Sequence, residues 1–167
     1  MSRQSSNIGQ QGLVRHLTGA SKVRLNASEH ANRVVFVEAE LTNAAQTFKL
    51  PKAVGSGDEY RLIVRSVLTQ DMIVNTTGAD VMVGKSFIGN VTKASASTLA
   101  LIISVYVATA TDNTYTFNNT TTGAVDVGDE VFAKDVADGI WLVRIEASVA
   151  SANGAGATGF TAETAST

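Results

Sequence analysis

The stretch Asp112–Ala147, DNTYTFNNTTTGAVDVGDEVFAKDVADGIWLVRIEA, decides the reading of the fold and contains the only tryptophan of the chain. Asp112–Asn118 reads as a strand with Tyr115 and Phe117 on one face. The polar run Asn119–Gly123 breaks it, because Asn and Gly tolerate the backbone conformations of a reversal. Val127-Gly128-Asp129 turns the chain into Glu130–Ala133, and Asp138-Gly139 makes the next turn. The last strand alternates: Trp141, Val143 and Ile145 on one face, Leu142, Arg144 and Glu146 on the other. That period of two marks a half-buried strand. Strand, turn, strand, turn is the grammar of an all-β fold.

Working outward, the same grammar holds. Arg33–Leu41 places Val35, Val37, Ala39 and Leu41 on one face, with Glu38 and Glu40 opposite and solvated. Phe48 and Leu50 share a face before Pro51 ends their strand. Tyr60, Leu62, Val64 and Leu68 alternate with Arg61 and Arg65, and Met72–Asn75 and Val81–Val83 read as further short strands. Gly84–Ser97 is weakly patterned. Leu99, Leu101, Ile103, Val105 and Val107 alternate with smaller residues, which predicts a central strand buried on both faces. The total is about eight to ten strands with turn signals about every 8–12 residues and no amphipathic helix. The expected fold class is all-β, an antiparallel β-sandwich or jelly roll. Its expected parts are an extended N-terminal arm (1–20), the sandwich domain (21–150) and a polar Ala/Gly/Ser/Thr-rich C-terminal tail (151–167).

Length and composition suit this. A chain of 167 residues with 44% apolar residues can bury one real core, and with aromatics at only 6% that core must be mostly aliphatic. Without cysteine there is neither a disulfide framework nor thiol catalysis. The polar N-terminus, MSRQSSNIGQQG, lacks the apolar stretch of a secretion signal, so synthesis and folding in a cytoplasm are expected. The longest apolar run, Leu99–Ala108, is too short for a membrane-spanning helix.

Catalytic chemistry finds little footing. His16 falls in the arm and His30 in a polar loop, and no G-x-S-x-G elbow or H-x-H spacing occurs. The acids Asp126, Asp129, Glu130, Asp135 and Asp138 cluster near turns, where oxygen ligands for Ca²⁺ are often found. Asp beside Gly is equally explained by turn hydrogen bonding, and no D-x-D-x-D-G run is present. No enzyme activity, cofactor or metal is therefore expected. A carbohydrate-degrading enzyme would need carboxylates converging in a cleft. Arg61 and Arg65 share a strand face on which no aromatic accompanies them, which gives no signature of nucleic-acid binding.

Charge is uneven even though the net charge is only −2. Met1–Ser28 carries Arg3, Arg15, Lys22 and Arg24 and no acid, whereas Asp126–Glu146 carries six acids and two bases. Attraction between these regions makes Arg3, Arg15, His16, Lys22 and Arg24, with Asp126, Asp129 and Glu130, the expected contacts to a neighbouring subunit or a larger assembly.

Several segments together resemble a module of tailed-phage virion proteins. They are Phe48-Lys49-Leu50-Pro51, Gly57-Asp58-Glu59-Tyr60, Ile73-Val74-Asn75, Gly78–Gly84, Thr116–Gly123, Gly128-Asp129 and Asp138–Val143. The likeness spans roughly residues 34–147; where that pattern ends in a Thr-Pro-Phe type tail, this chain has Thr158-Gly159-Phe160. The resemblance implies a structural protein at the virion's capsid surface, a head decoration (cement) or head fibre component. Its implied partners are the major capsid protein and its own copies as a homotrimer, without nucleic acid or membrane. The alternative it leaves is a tail or fibre module that binds a host receptor or glycan.

Overall fold

Alternating apolar and polar residues build strands along most of the chain. The computed structural model describes residues 15–17, 22–38, 44–66, 68, 70–95, 98–117, 127–149 and 160–161. Its elements are β1 (Arg15–Leu17), β2 (Lys22–Arg24), α1 (Ala27–His30), β3 (Arg33–Val37), β4 (Gln46–Lys49), β5 (Glu59–Val64), β6 (Met72–Asn75), β7 (Val81–Ser95), β8 (Thr98–Val107), β9 (Thr114–Phe117), β10 (Glu130–Ala137), β11 (Ile140–Val149) and β12 (Phe160–Thr161). The all-β expectation stands. Part of the arm and part of the tail enter the sheets as β1 and β12.

Two sheets form, in the orders β1-β3-β5-β10-β11-β7-β8 and β12-β9-β6-β4-β2. They are mixed, where antiparallel sheets were expected. From β1 to β7 the chain crosses to the other sheet at every step. Each strand thus returns to its own sheet two elements later, running the same way. β1, β3 and β5 pair in parallel, and so do β2, β4 and β6. The β10–β11 hairpin then fills the space between β5 and β7, antiparallel to β5 and parallel to β7. No local pattern announces such crossings, because a strand's alternation is the same whichever way its neighbour runs.

The inward faces of both sheets meet in one apolar cluster. Trp141, Val143 and Ile145 are buried while Leu142, Arg144 and Glu146 are exposed, as the alternation required. Trp141 packs edge-on against Tyr60, ring centroids 5.5 Å apart, and Tyr115 against Phe117 at 4.8 Å. Burial pushes the Tyr60 phenol up to about 12, with the nearby charges of Asp58 and Asp135 adding to the effect.

Three expectations need correction. Leu99–Val107 is not central: β8 is the outer strand of its sheet, with Val105 49% and Val107 61% exposed. The weakly patterned Gly84–Ser97 instead supplies most of β7, held between β11 and β8 by ladders on both sides. His30 is not in an exposed loop; it ends α1, is 3% exposed, and its Nδ1 accepts from the Asn26 amide. Asn26 also caps that helix, accepting from the Glu29 amide at 2.9 Å.

One glycine is demanded by packing. Gly84 has φ +148°, and a Cβ there would collide with the Val143 carbonyl oxygen across the β7–β11 pair. Gly84→Ala should cost about 3 kcal/mol or more through strain and displaced pairing. Urea unfolding measures it, and a loss below about 1 kcal/mol would mean that the two strands yield easily.

The acids expected in turns turn out to be joints. Asp135 belongs to β10, faces inward and is 3% exposed. Its carboxylate accepts from the amides of Val54 (3.0 Å), Gly55 (2.7 Å) and Ser56 (3.0 Å) and from the Ser56 hydroxyl (2.8 Å). Burial alone would raise its pKa, but these donors outweigh burial and hold it below the usual carboxylate value. A depressed carboxylate pKa adds stability above the unfolded chain's pKa, which is lost as pH falls through the folded value. Asp135→Asn should therefore cost about 3 kcal/mol at neutral pH. The gap between the two proteins should narrow on acidification, as thermal melts across pH would record. An equal gap at neutral and strongly acid pH would disprove the charge-based account.

Candidate interaction surfaces

Of the residues expected to make contacts, Arg3 and Asp126 lie outside the described residues. Arg15 and His16 enter β1, whose backbone pairs with Val35 and Phe36 of β3. Asp129 is 3% exposed, and its Oδ1 accepts from the amide (2.8 Å) and hydroxyl (2.9 Å) of Ser148. It ties β11 to the turn before β10, and a group so enclosed offers nothing to a neighbour's basic arm. Glu130 points outward but holds Arg61 through two 2.7 Å hydrogen bonds. Lys22 and Arg24 remain exposed on β2.

On the outer face of the seven-stranded sheet most charges are paired, although Lys85, exposed on β7 beside Arg144, has no ion pair with a described residue. Arg61 pairs with Glu130 (2.7 Å), Lys134 with Glu59 (2.8 Å), Arg144 with Glu146 (3.2 Å) and Arg65 with Glu38 (3.3 Å). The hydrogen bond to Glu130 is the main reason that the Arg61 guanidinium is held above its ordinary pKa. Sequence reading found no aromatic beside Arg61 and Arg65; the strand register supplies two. Phe36 lies under the Arg65 guanidinium at 5.6 Å, and Phe132 stands opposite Arg61. A groove of ≈ 350 Å³ opens beside Phe132 and Arg61, with Arg33, Val34 and Glu59 on its walls. At one edge of this sheet lies β8, with Val105 and Val107 exposed and Leu142 43% exposed two strands inward.

The five-stranded sheet presents a different outer face. Val23, Phe48, Val74 and Tyr115 are register partners across it and pack inward. The alternate positions therefore point out. One row is Lys22, Thr47, Ile73 and Thr116; the neighbouring row is led by Arg24, Lys49 and Asn75. Lys49 escaped the sequence reading because nothing local distinguishes it; pairing of β2 with β4 puts it directly beside Arg24.

Among the described residues no group of three or more His, Cys, Asp or Glu side chains is placed to hold a metal ion. No helix of the described residues is long and apolar enough to cross a membrane. Comparison of the chain with family models, with curated proteins and with solved structures found no match.

Proposed function

We propose that this chain is a structural protein of a tailed-phage virion, a head decoration (cement) protein. It is made in the host cytoplasm and seated on the outside of the capsid, which it stabilises without catalysis. In this reading the two sheets pack as a β-sandwich of jelly-roll type, and copies associate as a homotrimer around the major capsid protein.

The observation that carries the proposal is the edge at β8, beyond which no described strand pairs. Soluble β proteins shield a long edge with charge, proline or a bulge unless another chain completes it. Between Lys93 and Asp112 the sequence has no charged residue and no proline, and Val105 and Val107 stand exposed on β8. Such an edge favours a protein whose work is contact with other chains. The phage-like segments add support. Where they fall on described residues, most lie at the ends of β4 and β6, the entries to β5 and β7, and the β10–β11 hairpin.

Replacing Val105 and Val107 together by Lys tests this. Both are largely solvent-exposed, so stability should change by less than about 1 kcal/mol. The wild type should sediment as a trimer and bind decoration-free phage heads, and the variant should lose self-association. A wild type that is monomeric and ignores phage heads would defeat the proposal.

The second reading, a tail or fibre module with a receptor- or glycan-binding role, draws on the groove beside Phe132 and Arg61, where an aromatic face meets paired polar groups. Binding on a glycan array that is lost in Phe132→Ala would favour it over the first.

A further inference from the structure

We infer that the outer face of the five-stranded sheet, around Lys22, Arg24 and Lys49, docks a carboxylate-bearing protein surface. The inference rests on the decoration reading for the identity of the partner, the capsid shell, and on the structure alone for the partner's chemistry.

The charge pattern comes first. The outward positions of β2, β4, β6 and β9 carry three cations and no acid. Arg24 and Lys49 are direct register partners, and Lys22 lies two residues along β2 on the same face. Neighbouring strands are about 4.8 Å apart, and alternate residues about 7 Å, so the three like charges share a patch of small area. Like charges placed side by side repel, and an anionic partner would relieve that repulsion. None of the three has an ion pair with a described residue, in contrast to Arg61, Arg65, Lys134 and Arg144 on the other sheet. Glu29, the acid nearest to β2 in sequence, is engaged with the Asn26 amide nitrogen Nδ2 at 3.2 Å.

The form of the face selects among anions. Neither of the grooves lined by described residues, beside Phe132 and beside Phe87, lies on it, and a small ligand needs such an enclosure. Among the described side chains the sheet's aromatics, Phe48, Tyr115 and Phe117, are buried on the opposite side, so these offer bases nothing to stack on. Three cations also fall short of the roughly 6–10 phosphate contacts of a typical nucleic-acid interface. What remains suited is a protein surface: Arg24 takes a carboxylate through two parallel N–H bonds, Lys22 and Lys49 add point charges, and Thr47 and Thr116 offer hydroxyls at the rim.

Three proteins decide the matter: the full-length wild type, Lys22→Gln/Arg24→Gln/Lys49→Gln, and the control Lys85→Gln/Arg144→Gln, which removes cations from the other sheet. Each is measured by thermal melting, for binding to immobilised poly-L-glutamate and to single-stranded DNA over a salt series, and for co-sedimentation with decoration-free phage heads. We expect the triple variant to melt like the wild type and to bind poly-L-glutamate roughly tenfold more weakly, with a shallower salt dependence. The control should bind like the wild type, and the loss should repeat on phage heads. Equal losses in the control and the triple variant would reduce the effect to net charge and overturn the face. Tighter binding to DNA than to poly-L-glutamate through the same three residues would overturn the carboxylate assignment. Loss on poly-L-glutamate by a protein whose wild type ignores phage heads would support the face and reject the decoration reading.

Discussion

The Asp135 carboxylate is the constraint on which the rest of the architecture depends. It is a buried anion on β10, and a loop from another part of the chain wraps its backbone amides around it. That loop, residues 50–58, carries the chain from the five-stranded sheet to the seven-stranded one. Gly55 at φ +73° lets successive N–H groups converge on one acceptor, an arrangement suited to anions. Without Asp135 these amides would lose their shared acceptor, and the loop its tie to β10. The same loop is held at Ala53, whose amide donates to Asp80 at 2.6 Å and whose carbonyl accepts from Gly139. A single crossing is thereby clamped to the β6–β7 turn and to the β10–β11 hairpin together.

This joint explains how a chain that keeps changing sheets holds one register. Parallel neighbours with long connections between them have no tight turn to set their alignment. Buried carboxylates take over that task at both ends: Asp135 and Asp80 at one, Asp129 with Ser148 at the other. Gly84 completes the scheme by letting β7 pass close beneath the Val143 carbonyl, so that a parallel strand fits against the hairpin. Apolar burial supplies most of the stabilisation, but it is indifferent to which strand lies beside which; the buried carboxylates are specific.

The two outer faces then divide the surface chemistry. On the seven-stranded sheet, strands brought together from distant parts of the chain neutralise one another, as with Arg61 and Glu130, which lie 69 residues apart in sequence. Pairs so exposed contribute little to stability, but they leave the face without strong net attraction, so its reactive feature is the uncharged β8 edge. On the five-stranded sheet the only charged residues at the outward positions of β2, β4, β6 and β9 are cations. The proposed roles follow this division, an apolar edge for neighbouring copies and a basic face for the shell.

Alternation alone determined the all-β class, the placement of Trp141, Val143 and Ile145 in the core, and the hairpin turn at Asp138-Gly139, because side-chain period and turn chemistry are local properties. Partner choice was beyond it. Whether a strand lies at the centre or the edge depends on ladders formed with remote segments, so Leu99–Val107, apolar enough for a centre, became an edge. Whether an acid is a surface charge or an internal anchor depends on which backbone amides arrive beside it. Asp129 and Asp135 look like turn residues in the sequence and become buried acceptors only when Ser148 and residues 54–56 close around them. Lys49 belongs beside Arg24 for the same reason: 25 positions of chain separate them, and a parallel register, set by packing across the core, places them side by side.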